Sequence, residues 1–334
     1  MNVKAQSITN EYTLYNGDSG EILTVIPDST IHYIIYSPPF SSLYTYSNSE
    51  RDLGNCRNDE EFFEQFRYIG IELFRVLMSG RLMSVHCMDI PAMKERDGYI
   101  GITDFPGTLI KMFEDIGFIY HSRVTIWKDP LIEATRTKAI GLMHKQIVKD
   151  SAMCRNGLPD YLVTFRKPGD NPEPIAHPEG FTEYYGENEP EGKKGEPSLK
   201  DSKKHRNISM SKEDPVYSHG VWRSYASPVW MDINQSDTLN RTAAREEKDE
   251  RHICPLQTSV IERCIELWSN PGDIVLSPFA GIGSEIYVAV KMKRRGIGIE
   301  LKESYYNQAV LNCQIAAEIK NQNTLPFTIE ETSN

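Results

Sequence analysis

A surplus of positive charge is what this sequence of 334 residues lacks: 47 acidic residues outnumber 37 basic ones, for a formal net charge of −10. An acidic surface as a whole repels phosphate, although an acidic body can still carry a basic face. Long apolar runs are also missing. None approaches the roughly 20 residues that span a bilayer, and the opening Met1-Asn2-Val3-Lys4 has no signal-peptide core, so a soluble, cytoplasmic chain is expected. Cysteine is sparse. Cys56, Cys87, Cys154, Cys254, Cys264 and Cys313 are scattered without a C-x-x-C pair, which excludes a zinc knuckle or a disulfide frame and leaves no metal to expect.

What is present is an alternation of two periods. With 39% hydrophobic and 25% charged residues, the chain can bury one substantial core and a smaller module. Asn58 to Met78 reads as a helix: Asn58 is the N-cap, Glu61 follows three residues on, Phe62, Phe66, Ile69, Leu73 and Leu77 form the buried stripe, and Gly80 ends it. Strands are expected at Leu82 to Cys87, Phe118 to Trp127 and Tyr161 to Phe165, with a helix around Thr108 to Ile116. Such alternation implies a sheet covered on both faces. From Lys167 to about Arg251 the pattern dissolves into Pro, Gly and charge, a mobile or irregular insert. Within it, Lys193 to Arg206 holds six cations against two acids, and Tyr217, Trp222, Tyr225 and Trp230 follow near His219, Arg223 and Arg241.

Two corners carry the chemistry. Ser37-Pro38-Pro39-Phe40 closes the apolar run His32 to Tyr36; prolines commonly end strands because they lack the ladder N–H, so alone this corner reads as structural. The second follows the turn Asn270-Pro271-Gly272-Asp273 and the apolar Ile274-Val275-Leu276: Gly281 and Gly283 open a stretch with helical spacing at Ile286, Ala289 and Val290. Strand, glycine turn and helix is a nucleotide cradle, because glycines admit close approach and the helix start offers free N–H groups. The next strand, Ile297-Gly298-Ile299, ends in Glu300, which suits ribose hydroxyls. A dehydrogenase is disfavoured: Gly281-Ile282-Gly283-Ser284-Glu285-Ile286 lacks the third glycine of the dinucleotide fingerprint, and little chain follows for a second nucleotide half.

Together these residues carry a resemblance. Ser37-Pro38-Pro39-Phe40 resembles the catalytic motif of the DNA amino-methyltransferases, and Phe279-Ala280-Gly281-Ile282-Gly283 their F-x-G-x-G motif for S-adenosylmethionine. Catalytic motif first and cofactor motif last is the beta-class order; RNA and protein-glutamine methyltransferases with related corners typically reverse it. Asn16-Gly17-Asp18 is similar to the element whose acid binds the cofactor's adenine, and His252-Ile253-Cys254-Pro255-Leu256-Gln257 partly matches an H-P-x-x-x-P loop near the cofactor. Ser277-Pro278-Phe279 stands where the family often has Asp-Pro-Phe. The resemblance covers residues 12 to 166 and 252 to 312.

It implies a doubly wound, mostly parallel, seven-stranded α/β sheet of the S-adenosylmethionine-dependent methyltransferase type. Residues 1–166 would form the catalytic half, 167–251 a target-recognition insert, 252–320 the cofactor half of the same domain and 321–334 a tail. Ser37, Pro38, Pro39 and Phe40 would be catalytic. Asp18, His252, Pro255, Ser277, Phe279, Ala280, Gly281, Gly283, Ser284 and Glu300 would line the cofactor. Lys203, Lys204, Arg206 and Arg223 would meet double-stranded DNA, in a prokaryotic or phage-infected cell; a cognate restriction enzyme, and monomer against homodimer, stay open.

The implied chemistry has a physical basis. A base's exocyclic amine is a weak nucleophile because its lone pair is delocalised into the ring, so an acceptor such as Ser37 beside a proline carbonyl favours its attacking form. Phe40 would stack on a base turned out of the duplex. Ser rather than Asp or Asn at position 37 resembles members that modify the 4-amino group of cytosine rather than the 6-amino group of adenine. A DNA-binding module that holds the cofactor without turnover would keep Gly281 and Gly283 but need no Ser37 corner.

Overall fold

The computed structural model describes residues 3–39, 52–92, 94–137, 144–153, 155–188, 215–240, 244 and 255–322. Its strands are β1 (Ala5–Ile8), β2 (Tyr12–Asn16), β3 (Ile31–Tyr36), β4 (Leu77–Cys87), β5 (Ile90–Ala92), β6 (Gly101–Thr103), β7 (Ile119–Ile126), β8 (Asp160–Arg166), β9 (Val229–Trp230), β10 (Ile274–Ser277) and β11 (Arg295–Glu300). Its helices are α1 (Ser19–Leu23), α2 (Asp59–Val76), α3 (Lys94–Asp97), α4 (Phe105–Ile116), α5 (Pro130–Thr137), α6 (His144–Ile147), α7 (Pro215–Ala226), α8 (Thr258–Trp268), α9 (Ser284–Lys291) and α10 (Glu303–Gln322). None of the described helices is long and apolar enough to cross a membrane.

One sheet of nine strands organises the chain, in the order β1-β2-β11-β10-β3-β4-β8-β7-β9, and β5 pairs with β6 separately. From β2 to β4 all neighbours are parallel, so their carboxyl ends share one edge. β8 runs antiparallel to β4 and β7 antiparallel to β8, which brings the start of β8 and the end of β7 to that same edge. The seven strands expected are β2 through β7 in this order; β1 extends one side and β9 the other.

Both faces are covered because β3 alternates. Ile34 and Tyr36 point into a core with Phe62, Phe66 and Leu73 of α2 and Leu109 and Phe113 of α4. Tyr33 and Ile35 pack against Val260, Ile261 and Cys264 of α8 and Val288 and Ala289 of α9. Burying a side chain of this size is worth about 1.5–3 kcal/mol, so the two cores together fix the sheet. α10 covers β2 through Tyr306, Ala309 and Cys313.

Two expectations need correction. The first helix does not run to Met78: α2 stops at Val76 and β4 begins at Leu77, with Gly80 inside that strand at φ +72, where an added Cβ would lie 2.4 Å from Asn171 N. The insert is not wholly irregular. Its described part contains α7 and β9, and Trp230 of β9 is 1% exposed and pairs with Ile126.

A buried arginine fastens this region to the domain. Arg263 of α8 sends Nη2 to both oxygens of Asp232 at 2.9 Å, donates through Nε to the Tyr185 carbonyl, and places its guanidinium 5.0 Å from the rings of both Tyr184 and Trp230. The start of α8 is capped from the same region, where Asp237 Oδ2 accepts from Ser259 N at 3.0 Å.

Candidate active site

Ligands of open α/β sheets bind beyond the carboxyl ends of the strands, and both corners meet there. Ser37 is the first residue after β3, and Ser277 ends its parallel neighbour β10. Phe279 joins the two, its ring centroid 5.7 Å from Tyr36 and 6.0 Å from Phe66, so its ring serves the core as well as the rim.

On the cofactor side the glycine turn is tied down at each end. Ala280 N donates to Ile299 O at 2.9 Å, Gly281 N to Glu300 Oε2 at 2.8 Å and Gly283 N to Ala280 O at 2.7 Å. The two glycines do different work. An added Cβ at Gly281 (φ +53) meets nothing within 4 Å, whereas at Gly283 (φ +84) it would lie 2.9 Å from the Ala309 Cβ. Gly281 therefore faces open space, and Gly283 lets α10 close on the turn. Asp18 stands at the neighbouring strand end, where Gly17 N donates to Glu300 O at 3.0 Å; one Asp18 oxygen caps α1 through Glu21 N. Ala280 and Ser284 are buried and Pro255 is half-buried.

The residues present fit S-adenosylmethionine. Ser277 Oγ is fully buried at the carboxyl edge of the sheet with no partner among the described residues, and buried polar atoms normally have one. Two acids stand close to the turn, and both are pushed toward their neutral forms. Burial pushes the Glu300 carboxyl up to about 7, with the charge of Asp52 adding to the rise and the N–H groups of Lys302 and Gly281 opposing it. Burial likewise raises Glu285 to about 8, its own N–H opposing and Glu300 adding.

This yields two expectations. Below about 7 Glu300 is neutral, and above it the carboxylate accepts better from a diol, so cofactor affinity should tighten as pH rises through about 7. In Glu300→Gln that dependence should be flat by calorimetry; a wild-type pH dependence there would remove Glu300 from the ribose. Gly281→Trp should weaken cofactor binding and, because φ +53 strains any L side chain, lower the melting temperature somewhat, whereas Gly283→Val, which adds a clash with Ala309 to the same kind of strain, should lower it more. The reverse pattern would exchange the two roles.

On the catalytic side the structure adds residues that the sequence did not single out. Ser37 Oγ lies 3.0 Å from His86 Nδ1, His86 Nε2 lies 3.3 Å from Asp160 Oδ2, and Lys128 Nζ donates to Asp160 Oδ1. His86 is the penultimate residue of β4, Asp160 opens β8 and Lys128 follows β7, so the antiparallel turn of the sheet assembles them. Burial alone would raise Asp160, but Lys128 and His86 outweigh it and hold the carboxyl down to about 2. A histidine next to the carboxyl end of the expected strand Leu82 to Cys87, where Ser84 is the other polar residue, was the one available signal for His86.

Phe40, His252, Lys203, Lys204 and Arg206 lie outside the described residues; Pro38 is buried and Pro39 and Arg223 are half-buried. Among the described residues, His32, Glu173 and Asp273 approach one another at the opposite edge. There the fully buried Arg81 lies 3.1 Å from Asp273 and 3.7 Å from Glu173, which makes the group an ion-pair network.

The chain is 22% identical over 319 residues to the type II methyltransferase M.MjaI of Methanocaldococcus jannaschii, covering 89% of each. Its fold is similar to TTHA0409 of Thermus thermophilus complexed with S-adenosyl-L-methionine (TM-score 0.59, 21% identity, 91% of this chain and 93% of that one). It is similar also to the cytosine-N4-specific PvuII DNA methyltransferase (TM-score 0.57, 16% identity, 96% of each chain). A sequence model of the N6/N4 DNA methylase family matches residues 31–311. The chain belongs to that family and is an S-adenosylmethionine-dependent DNA amino-methyltransferase.

Proposed function

We propose that the chain methylates the 4-amino group of cytosine, in a specific sequence of double-stranded DNA, on a base turned out of the helix. The observation that carries this reading is the Ser37 corner at the carboxyl end of β3, beside the β10 turn. Pro38 and Pro39 have no N–H, so the corner offers acceptors: the Ser37 hydroxyl and backbone carbonyls. An acceptor-rich corner suits an amine, whose hydrogens it can hold. It does not suit a developing oxyanion, which needs donors, so a hydrolase built on the same serine is disfavoured.

When bound, S-adenosylmethionine supplies an electrophilic methyl group on a sulfonium. Asp18, Ser277, the turn from Phe279 to Ser284 and Glu300 would hold it, with Pro255 before α8 and His252 ahead of it in the sequence. Ser37 and the proline carbonyls would orient the amine, and Phe40 would stack on the base. Turning a base out costs a few kcal/mol and one aromatic returns about 1–3. The insert must supply the rest, through Arg223 on α7 and the cluster Lys203, Lys204 and Arg206.

Neutralising Lys203, Lys204 and Arg206 together should weaken DNA binding and flatten its salt dependence, the slope falling by roughly 0.9 for each phosphate no longer neutralised. An unchanged slope, read by fluorescence anisotropy across a salt series, would assign the cluster to solvent.

A second reading, the 6-amino group of adenine, shares the corner, because a hydroxyl accepts from either amine. Sequencing plasmid DNA treated with the full chain, by polymerase kinetics sensitive to modified bases, separates them. Modified cytosine in one short motif is expected. Modified adenine would select the second reading, and unmodified DNA would overturn both.

A further inference from the structure

We infer that His86, held by Asp160 and Lys128, is the positioning residue that takes the amine's proton through Ser37. This rests on the reading of Ser37 as the residue that meets the target amine. Ser37 Oγ is hydrogen-bonded to His86 Nδ1 at 3.0 Å, and His86 Nε2 stands 3.3 Å from Asp160 Oδ2 in an ion-pair contact without hydrogen-bond geometry, with Lys128 on the other carboxylate oxygen.

Each member has a reason to be there. The Asp160 side chain is 4% exposed and the His86 side chain 11%, so little water competes for either. A charged carboxylate facing Nε2 favours the tautomer with its proton on that nitrogen, which leaves Nδ1 to accept from the Ser37 hydroxyl. Lys128 keeps Asp160 ionised and in place. A neutral hydroxyl is a poor proton acceptor by itself, and the imidazole behind it makes Ser37 a conduit. The constellation has the form of a serine–histidine–aspartate triad, but prolines occupy the two positions after the serine, and the line serves proton removal instead of acyl transfer.

The step balances. The amine nitrogen bonds to the methyl carbon as the carbon–sulfur bond returns its electron pair to sulfur, which becomes a neutral thioether. The nitrogen sheds one proton to Ser37 Oγ while the Ser37 proton passes to His86 Nδ1. His86 ends as an imidazolium beside Asp160 and releases the proton to water.

The test uses the full chain, S-adenosylmethionine and duplex DNA under single-turnover, saturating conditions, with cofactor affinity measured on the same preparations. His86→Asn keeps an acceptor where Nδ1 was but cannot take a proton, and His86→Ala leaves a space that added imidazole can fill. Both should slow transfer by about 10²-fold or more with cofactor affinity unchanged. Imidazole should recover at least about tenfold in His86→Ala, and Ser37→Ala with His86→Ala should be no slower than Ser37→Ala alone. A wild-type rate in His86→Asn, absence of rescue, or additive losses would overturn the relay. A wild-type rate in Ser37→Ala would instead overturn the corner reading on which it rests.

Discussion

Ser37→Ala should slow methyl transfer by about 10²- to 10⁴-fold, the range for loss of a positioned proton-transfer group, while cofactor affinity stays at the wild-type value. The hydroxyl stands at the end of β3 and bonds to His86, whereas the acids and glycines assigned to the cofactor belong to β2, β10, β11 and their turns. Removing one oxygen takes no apolar group from either core, so the fold should persist and circular dichroism should match. Quenched single-turnover transfer, with calorimetry on the same sample, reads both quantities. A loss confined to cofactor affinity would make the corner structural.

Arg263→Ala should destabilise the protein by roughly 3–5 kcal/mol, the cost of removing one partner of a buried ion pair. The Arg263 side chain is 0% exposed and Asp232 15%, so the mutation leaves a largely buried carboxylate with no cation and only the Tyr184 hydroxyl donating to it, and opens a hole between Tyr184, Tyr225 and Trp230. Asp232→Ala combined with it should cost less than the sum of the single changes, since the stranded charge goes too. Urea unfolding measures this. An unchanged midpoint for Arg263→Ala would show that the aromatic residues alone hold α7 and β9 to the domain.

Much of this architecture is legible in the sequence. The α2 cap at Asn58 and its Phe62, Phe66 and Leu73 stripe follow from helical period, and strand, glycine turn, helix and Glu300 follow from punctuation by glycine and proline. What the sequence hides has physical causes. Leu77 continues the stripe of α2 and Gly80 looks like a helix stop, but the glycine is needed where Asn171 crosses close to β4. β1 is mostly exposed and β9 has two residues, so neither shows a period. His86 and Asp160 meet only because β8 returns antiparallel along β4, a pairing no local pattern announces. Arg263 reads as a surface charge on α8 until the aromatic residues of the insert close over it.

The most direct measurement digests DNA methylated by the full chain to nucleosides and identifies them by mass spectrometry, using S-adenosylmethionine with an isotope-labelled methyl group. The account predicts the label on an exocyclic nitrogen, as 4-methylamino deoxycytidine, and its loss in Ser37→Ala. Label on the ring carbon of cytosine, or DNA without label, would contradict it.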